Sequence, residues 1–190
     1  GWACLHAASA KSDTEIYRLL LESGADVNVA NKEGLTPLHL AAESGNQDAV
    51  LLLVNRGATP NPEDGQNRTP LHLAAARGRA ESCAALLDNS GRLEAEDKDG
   101  RTPLHYACRK GHIETAALLI EKGAEVGKED RRGERPLHLA ALSNSPELAS
   151  LLVEKKADVN ARTERDMTPL HVAPRAGNAS RKNGAIERAA

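Results

Sequence analysis

A tetrapeptide that recurs at a fixed interval constrains this chain more than any other feature. Thr-Pro-Leu-His begins at Thr36, Thr69, Thr102 and Thr168, and the variant Arg-Pro-Leu-His begins at Arg135. Each copy of this series falls on a period of 33 positions. A constant period of this length predicts a stack of small structural units, each of which buries its apolar side only against its neighbours.

The composition supports thin layers rather than a large globular core. The 190 residues include no Phe, one Trp, two Tyr and one Met, so a core built on aromatic side chains is excluded. The apolar residues are mainly Ala and Leu, which suit short helices that pack closely. We therefore expect a core that is long and shallow.

Each copy carries signals for the beginning and the end of a helix. The Thr that opens the motif is a predicted N-cap, and the Pro that follows suits the first helical position. Gly45, Gly78 and Gly111 mark the end of this first helix, and Asn144 takes the same place in the fifth copy. A Leu-rich segment follows and then a polar turn, so each copy is predicted to contain two helices and a turn.

The motif, the small residues that follow it and the 33-residue period are similar to those of ankyrin repeats. The resemblance runs from His6 through Val159 without an insertion. It implies an all-α solenoid of helix-turn-helix repeats joined by β-hairpin-like turns. The array is predicted to cover 1–173, with repeats at 1–32, 33–65, 66–98, 99–131 and 132–164 and a partial repeat at 165–173.

The two ends of the chain depart from this pattern. Pro174 occupies a position that holds Ala or Cys in other copies, where it would break the first helix, and no Leu-rich stripe follows it. Residues 174–190 are therefore predicted to form a degenerate or frayed segment. The first repeat lacks its opening turn, and we expect the chain to be a fragment of a larger protein.

Several substitutions inside the array remove a residue that the local backbone favours. Asn67, Ser90 and Lys156 stand where other copies have Gly, and Arg135 replaces the capping Thr. Repeats three and five are therefore predicted to be locally weaker.

The histidines of the motif raise the question of a metal site or an active site. Equivalent side chains on packed helices are about 8–10 Å apart, whereas zinc needs its nitrogen ligands about 2.0–2.1 Å away. The resemblance implies instead that these histidines hydrogen-bond locally and to the adjacent repeat. No catalytic motif is present, so we predict no enzyme activity, no metal, no cofactor and no small-molecule substrate. The histidines are His6, His39, His72, His105, His138 and His171.

The cysteines and the hydropathy of the chain bear on its location. Cys4, Cys83 and Cys108 are odd in number, lack paired metal-ligand spacing and fall at apolar repeat positions, which predicts buried free thiols in a reducing compartment. No segment approaches the ~18 apolar residues of a spanning helix. We expect an intracellular location, in the cytoplasm or nucleus or on the cytosolic side of a membrane protein.

The ankyrin resemblance implies that partners contact the turn tips and the exposed face of the first helices. At these positions the charge is positive from the third repeat onward, although the net charge of the chain is -2. We therefore predict a non-catalytic interaction scaffold whose basic concave face binds an acidic or amphipathic segment of another protein. A merely solvated charged face is the alternative. The predicted partner-binding residues are Arg68, Arg77, Arg101, Arg109, Lys110, Arg131, Arg132, Leu142 and Met167.

Two other functions and one modification stay open at this stage. The same groove could bind anionic lipid or nucleic acid, although the absence of interleaved aromatic residues disfavours nucleic acid. The array could also be the regulatory or substrate-presenting arm of an enzyme whose catalytic domain lies outside this sequence. Asn28 and Asn160 close segments that resemble those modified by an asparaginyl hydroxylase in ankyrin proteins, although Asn also suits a turn.

Overall fold

A computed structural model describes residues 4–8 and 14–174, and in these residues the backbone forms helices and turns without a strand. Inner helices begin at the repeated motif or its equivalent in the first copy, and each except the last is followed by an outer helix in the described residues. The inner helices are α1 (Cys4–Ala8), α3 (Pro37–Ser44), α5 (Pro70–Ala76), α7 (Pro103–Lys110), α9 (Pro136–Leu142) and α11 (Pro169–Val172). The outer helices are α2 (Thr14–Glu22), α4 (Gln47–Asn55), α6 (Ala80–Asp88), α8 (Ile113–Glu121) and α10 (Pro146–Glu154).

The helices stack in two layers. Each inner helix packs against the inner helices of the neighbouring repeats and against the outer helix of its own repeat, and the outer helices pack in the same order. This arrangement confirms the predicted all-α solenoid.

The core lies between the two layers and continues through the repeats. Leu38, Leu71, Leu104 and Leu137, which follow the motif proline, are all buried. Leu170 occupies the same position in the last motif and is 85% exposed, because it lies at the C-terminal end of the described stack. A neighbouring repeat is therefore what buries this leucine elsewhere.

The turns between repeats form their own ladder of backbone hydrogen bonds. The N–H groups of Gly65, Lys98, Arg131 and Glu164 donate to a carbonyl at the preceding turn, over 2.8 to 3.0 Å. These bonds hold the turn tips in a row beside the inner helices.

The backbone is left-handed at the positions where another residue replaces the glycine of other copies. The φ angles are 60° at Asn67, 69° at Ser90 and 69° at Lys156, and Asn144 ends its inner helix with a φ of 57°. At the C-terminal end, α11 stops at Val172, and Ala173 is extended with a ψ of 136°, as the residue before a proline prefers. The rest of the predicted frayed segment, 175–190, lies outside the described residues.

One expectation about the cysteines is wrong. Cys83 and Cys108 are buried, but Cys4 is exposed. The reason is its place in the first inner helix, where the described structure has no earlier repeat to cover it.

Candidate protein-interaction surface

The motif histidines join each repeat to the next. In His39, Nδ1 accepts a hydrogen bond from the Thr36 N–H over 3.1 Å, so the proton is on Nε2, which donates to the carbonyl of Arg68 over 2.9 Å. His6, His72, His105 and His138 make the same contact with the following repeat. Each of these imidazole rings thus has a structural role, since it links two repeats by hydrogen bonds.

Burial favours the neutral form of three of these rings. Desolvation lowers the pKa of His39, His72 and His105, although the hydrogen bonds to backbone carbonyls and the nearby carboxylates oppose it. Neutral imidazoles suit a ladder in which one ring nitrogen accepts and the other donates.

Two of the predicted partner-binding arginines are engaged inside the protein. The Arg68 guanidinium binds the buried carboxylate of Asp64 over 2.7 and 2.8 Å. The Arg101 side chain is only 12% exposed and binds Asp99 and Asp130 over 3.0 and 3.3 Å. A partner would have to compete with these carboxylates, so contact at Arg68 and Arg101 stays a prediction.

Arg77 is exposed but also has an internal partner. Its guanidinium binds the Glu43 carboxylate of the preceding repeat over 2.7 and 3.0 Å. The two residues are 34 positions apart, and the residue 34 positions before Lys110 is Ala76. Lys110 is the equivalent of Arg77 in the next repeat, and Ala76 stands where Glu43 stands for Arg77. Lys110 therefore has no carboxylate to bind in this geometry.

Four of the predicted cations are exposed and without an ion-pair partner in the described part of the chain. Arg109 and Lys110 end α7, and Arg131 and Arg132 form the tip of the turn before α9. We call these four residues the cationic patch. Since α7 has eight residues, it is about 12 Å long, and the two pairs lie toward opposite ends of the inner-helix layer.

Two apolar residues of the predicted site lie beside this patch. Leu142 ends α9 at the position equivalent to Arg109 and is 46% exposed. Met167 is half-buried and lines a cleft of about 460 Å³ with Val172, Arg132 and Arg165. Apolar contact is therefore available in the fifth and sixth repeats, next to the unpaired cations of the fourth and fifth.

Comparison with known proteins identifies the repeats. The family model for ankyrin repeats matches three times, over residues 1–64, 60–130 and 123–181. The chain belongs to the ankyrin-repeat family. A search of curated proteins found no match. Ankyrin repeats are general protein–protein interaction modules and are typically non-catalytic.

The ankyrin turns give a structural role to one of the two candidate modification sites. Asn28 Oδ1 accepts from the Thr59 N–H over 2.8 Å, and its Nδ2 donates to the Gly57 carbonyl, so this side chain bridges two repeats. Asn160 is exposed, and its backbone N–H donates to the Asp158 carboxylate over 2.9 Å. Hydroxylation of either residue stays a prediction, and at Asn28 it would have to disturb an existing bridge.

The described residues of the ankyrin array offer no metal site, membrane span or reactive buried thiol. Among residues 4–8 and 14–174, no group of three or more His, Cys, Asp or Glu side chains could hold a metal ion. No described helix is long and apolar enough to cross a membrane. Burial raises the pKa of the Cys83 thiol to about 12, which suppresses its reactive thiolate.

One cation of this surface was missing from the predicted site. Arg165 is exposed at the turn tip and lines the cleft that also contains Arg132. The repeat period could have identified it, because Arg165 and Arg132 occupy equivalent positions 33 residues apart. Arg175, which also contributed to the positive charge count, lies outside the described residues.

Proposed function

We propose that this ankyrin array binds an acidic, amphipathic segment of another protein through the cationic patch and the adjacent Leu142. The observation that carries the proposal is the presence of four exposed cations, Arg109, Lys110, Arg131 and Arg132, without an ion pair in the described structure. Binding to carboxylates would compensate them, and Leu142 would contact an apolar residue of the same segment.

The internal ion pairs of the other predicted cations support this location. Arg68, Arg77 and Arg101 each bind an internal carboxylate, so a partner gains least by approaching them. An exposed unpaired cation costs less to desolvate than an ion pair costs to break. The proposed centre of the site is therefore the fourth and fifth repeats.

The rigidity of the array suits this mode of binding. The histidine ladder and the backbone bonds between turn tips hold the cations on a preformed surface. Less conformational entropy is then lost on association. We propose that the array acts by recognition, without catalysis, and that it works in a reducing compartment because Cys83 and Cys108 are buried free thiols.

The test replaces Arg109 and Lys110 by Glu in one variant. The probe is an amphipathic helical peptide of Glu and Leu, and its affinity is measured by titration calorimetry. We expect the double substitution to weaken binding by about tenfold or more, because two attractive charge pairs become repulsive. Both positions are exposed, so thermal unfolding should change little.

The matched control is Lys155→Glu with Lys156→Glu. These adjacent lysines are also exposed and follow an outer helix, so the control makes the same change in net charge away from the inner helices. Equal weakening by the two variants would reject the cationic patch as the site. A short DNA duplex that binds more tightly than the peptide, with a steep salt dependence, would favour the polyanion alternative.

A further inference from the structure

A second surface with the opposite charge lies on the outer helices. Between α6 and α8, a groove of about 380 Å³ has a floor of Ala84, Ala117 and Leu118. Its rim carries the exposed carboxylates of Glu81, Glu114 and Glu121. We call this the outer groove, and its volume falls within the lower part of the range for binding clefts.

The small side chains of the floor explain why a groove forms here. Ala84 and Ala117 occupy equivalent positions of consecutive outer helices, and the equivalent residue of α4 is the larger Leu51. All three floor residues are half-buried, so apolar surface remains accessible to a visiting side chain.

The carboxylates of the rim are not compensated within the described structure. Some carboxylates of the outer helices have cations from neighbouring repeats, since Glu22 binds Arg56 and Asp88 binds Lys122. Glu147 and Glu154 of α10 make no ion pair in the described residues. Glu81, Glu114 and Glu121 make no such ion pair in the part of the chain that the structure describes. Three like charges therefore surround one apolar floor.

Local helix electrostatics account for only part of this cluster. Glu81 and Glu114 lie in the first turns of their helices, where the helix dipole favours negative charge. Glu121 is the last residue of α8, where the dipole disfavours it. The adjacent Lys122 is engaged with Asp88 over 2.7 Å. Glu121 thus gains nothing from the dipole and makes no ion pair in the described residues, and the nearest equivalent of Lys122 for it is Lys155, 34 positions on.

We infer that the outer groove is a second docking site, and that it binds a basic amphipathic segment of a partner protein. Lysine or arginine side chains of that segment pair with the three glutamates, and one apolar side chain between them contacts Ala84, Ala117 and Leu118. Charge complementarity identifies the partner class, and the apolar floor supplies the contact that a purely ionic surface lacks. The inference does not depend on the cationic patch.

The experiment uses an amphipathic helical peptide of Lys and Leu and a scrambled peptide of the same composition. Binding to the whole chain is measured by titration calorimetry, and the site is mapped by amide chemical shifts. We expect the amphipathic peptide to bind, with shifts concentrated in α6 and α8. We expect Glu81→Gln with Glu121→Gln to weaken binding by about tenfold or more, as removal of close charge pairs does.

The matched control is Glu147→Gln with Glu154→Gln. These residues hold the equivalent first-turn and last positions of α10, so the control removes the same charge from the same helix positions outside the groove. It should leave the affinity within a factor of two of wild type. Equal losses in both variants would show diffuse attraction to an acidic surface and would overturn the proposal.

Two further readouts keep the test decisive. Ala117→Gln fills the floor without changing the charge. It should weaken binding of the amphipathic peptide and leave binding of the scrambled peptide unaffected.

Sedimentation of the protein alone should show no association that depends on Glu81 and Glu121. Such association would assign the groove to a second copy and overturn the proposal. The Glu and Leu peptide should bind both glutamine variants normally, so failure here is distinct from failure at the cationic patch.

Discussion

At the residue scale, the weak points of this array come from the backbone rather than from the core. Asn67 and Asp166 have a φ of 60° at turn tips where other repeats have Gly. Ser90 and Lys156 have a φ of 69° after outer helices, where Gly24, Gly57 and Gly123 stand in other repeats. Asn and Asp tolerate this conformation, whereas Ser and Lys do so less readily. The predicted weakness of repeats three and five therefore has its sharpest cause at Ser90 and Lys156.

Replacing Lys156 by Gly should stabilise the array. The left-handed backbone costs a residue with a Cβ atom about 1–2 kcal/mol, and the greater freedom of Gly in the unfolded chain offsets part of the gain. We expect the free energy of unfolding to rise by about 1 kcal/mol in urea denaturation. Lys155→Gly is the control, because Lys155 has a φ of -85° and gains nothing from Gly. A stability of the Lys156 variant below that of wild type would contradict this account.

At the element scale, the sequence predicts where helices begin and end but not which side chains pair. Every inner helix from α3 onward starts at the motif proline, because Pro suits the first helical position in any context. Ion pairs instead depend on which of several nearby partners a carboxylate or guanidinium binds, and equivalent residues of different repeats bind different partners. Asp64 binds Arg68 of its own turn, whereas the Asp97 carboxylate accepts the Tyr106 hydroxyl over 2.6 Å. Arg101 binds Asp130 of the following turn, and no local pattern in the sequence reveals that exchange.

The leucine of the motif gives a prediction at this scale with an internal control. Leu104 is 1% exposed in α7, so Leu104→Ala should leave a cavity between packed repeats. We expect a loss of about 2–5 kcal/mol in the free energy of unfolding. Leu170→Ala is the same change at the equivalent motif position, but Leu170 is largely exposed and its loss should be small. Equal losses would mean that stacking of a further repeat is not what makes this leucine stabilising.

At the scale of the whole molecule, the repeat period predicts the architecture. Which charges are compensated by ion pairs, however, can be seen only in the structure. The sequence indicates an inner surface richer in cations, and the structure shows which of those cations are compensated. Arg101 illustrates the limit, since its place at a turn suggests exposure and its guanidinium is largely covered. The outer groove could not be predicted either, because it depends on how far Ala84 and Ala117 leave α6 and α8 open.

The histidine ladder predicts how the whole array responds to acid. The pKa values of His39, His72 and His105 are lowered in the folded state from the model-peptide value of 6.5, chiefly by burial. The unfolded chain therefore binds more protons than the folded chain just below pH 6.5, so stability falls as the pH decreases through that value. Each unit by which a folded pKa is lowered corresponds to a loss of about 1.4 kcal/mol once the pH is below both values.

Urea denaturation as a function of pH tests this prediction. We expect the free energy of unfolding to decline from about pH 6.5 downward. A second decline should follow below pH 3.8, because hydrogen bonds from Arg68 and the backbone lower the folded pKa of Asp64 despite the opposing effect of burial. A free energy of unfolding that stays level or rises between pH 6.5 and pH 5 would show that the ladder does not resist protonation, because buried neutral imidazoles require a loss of stability there.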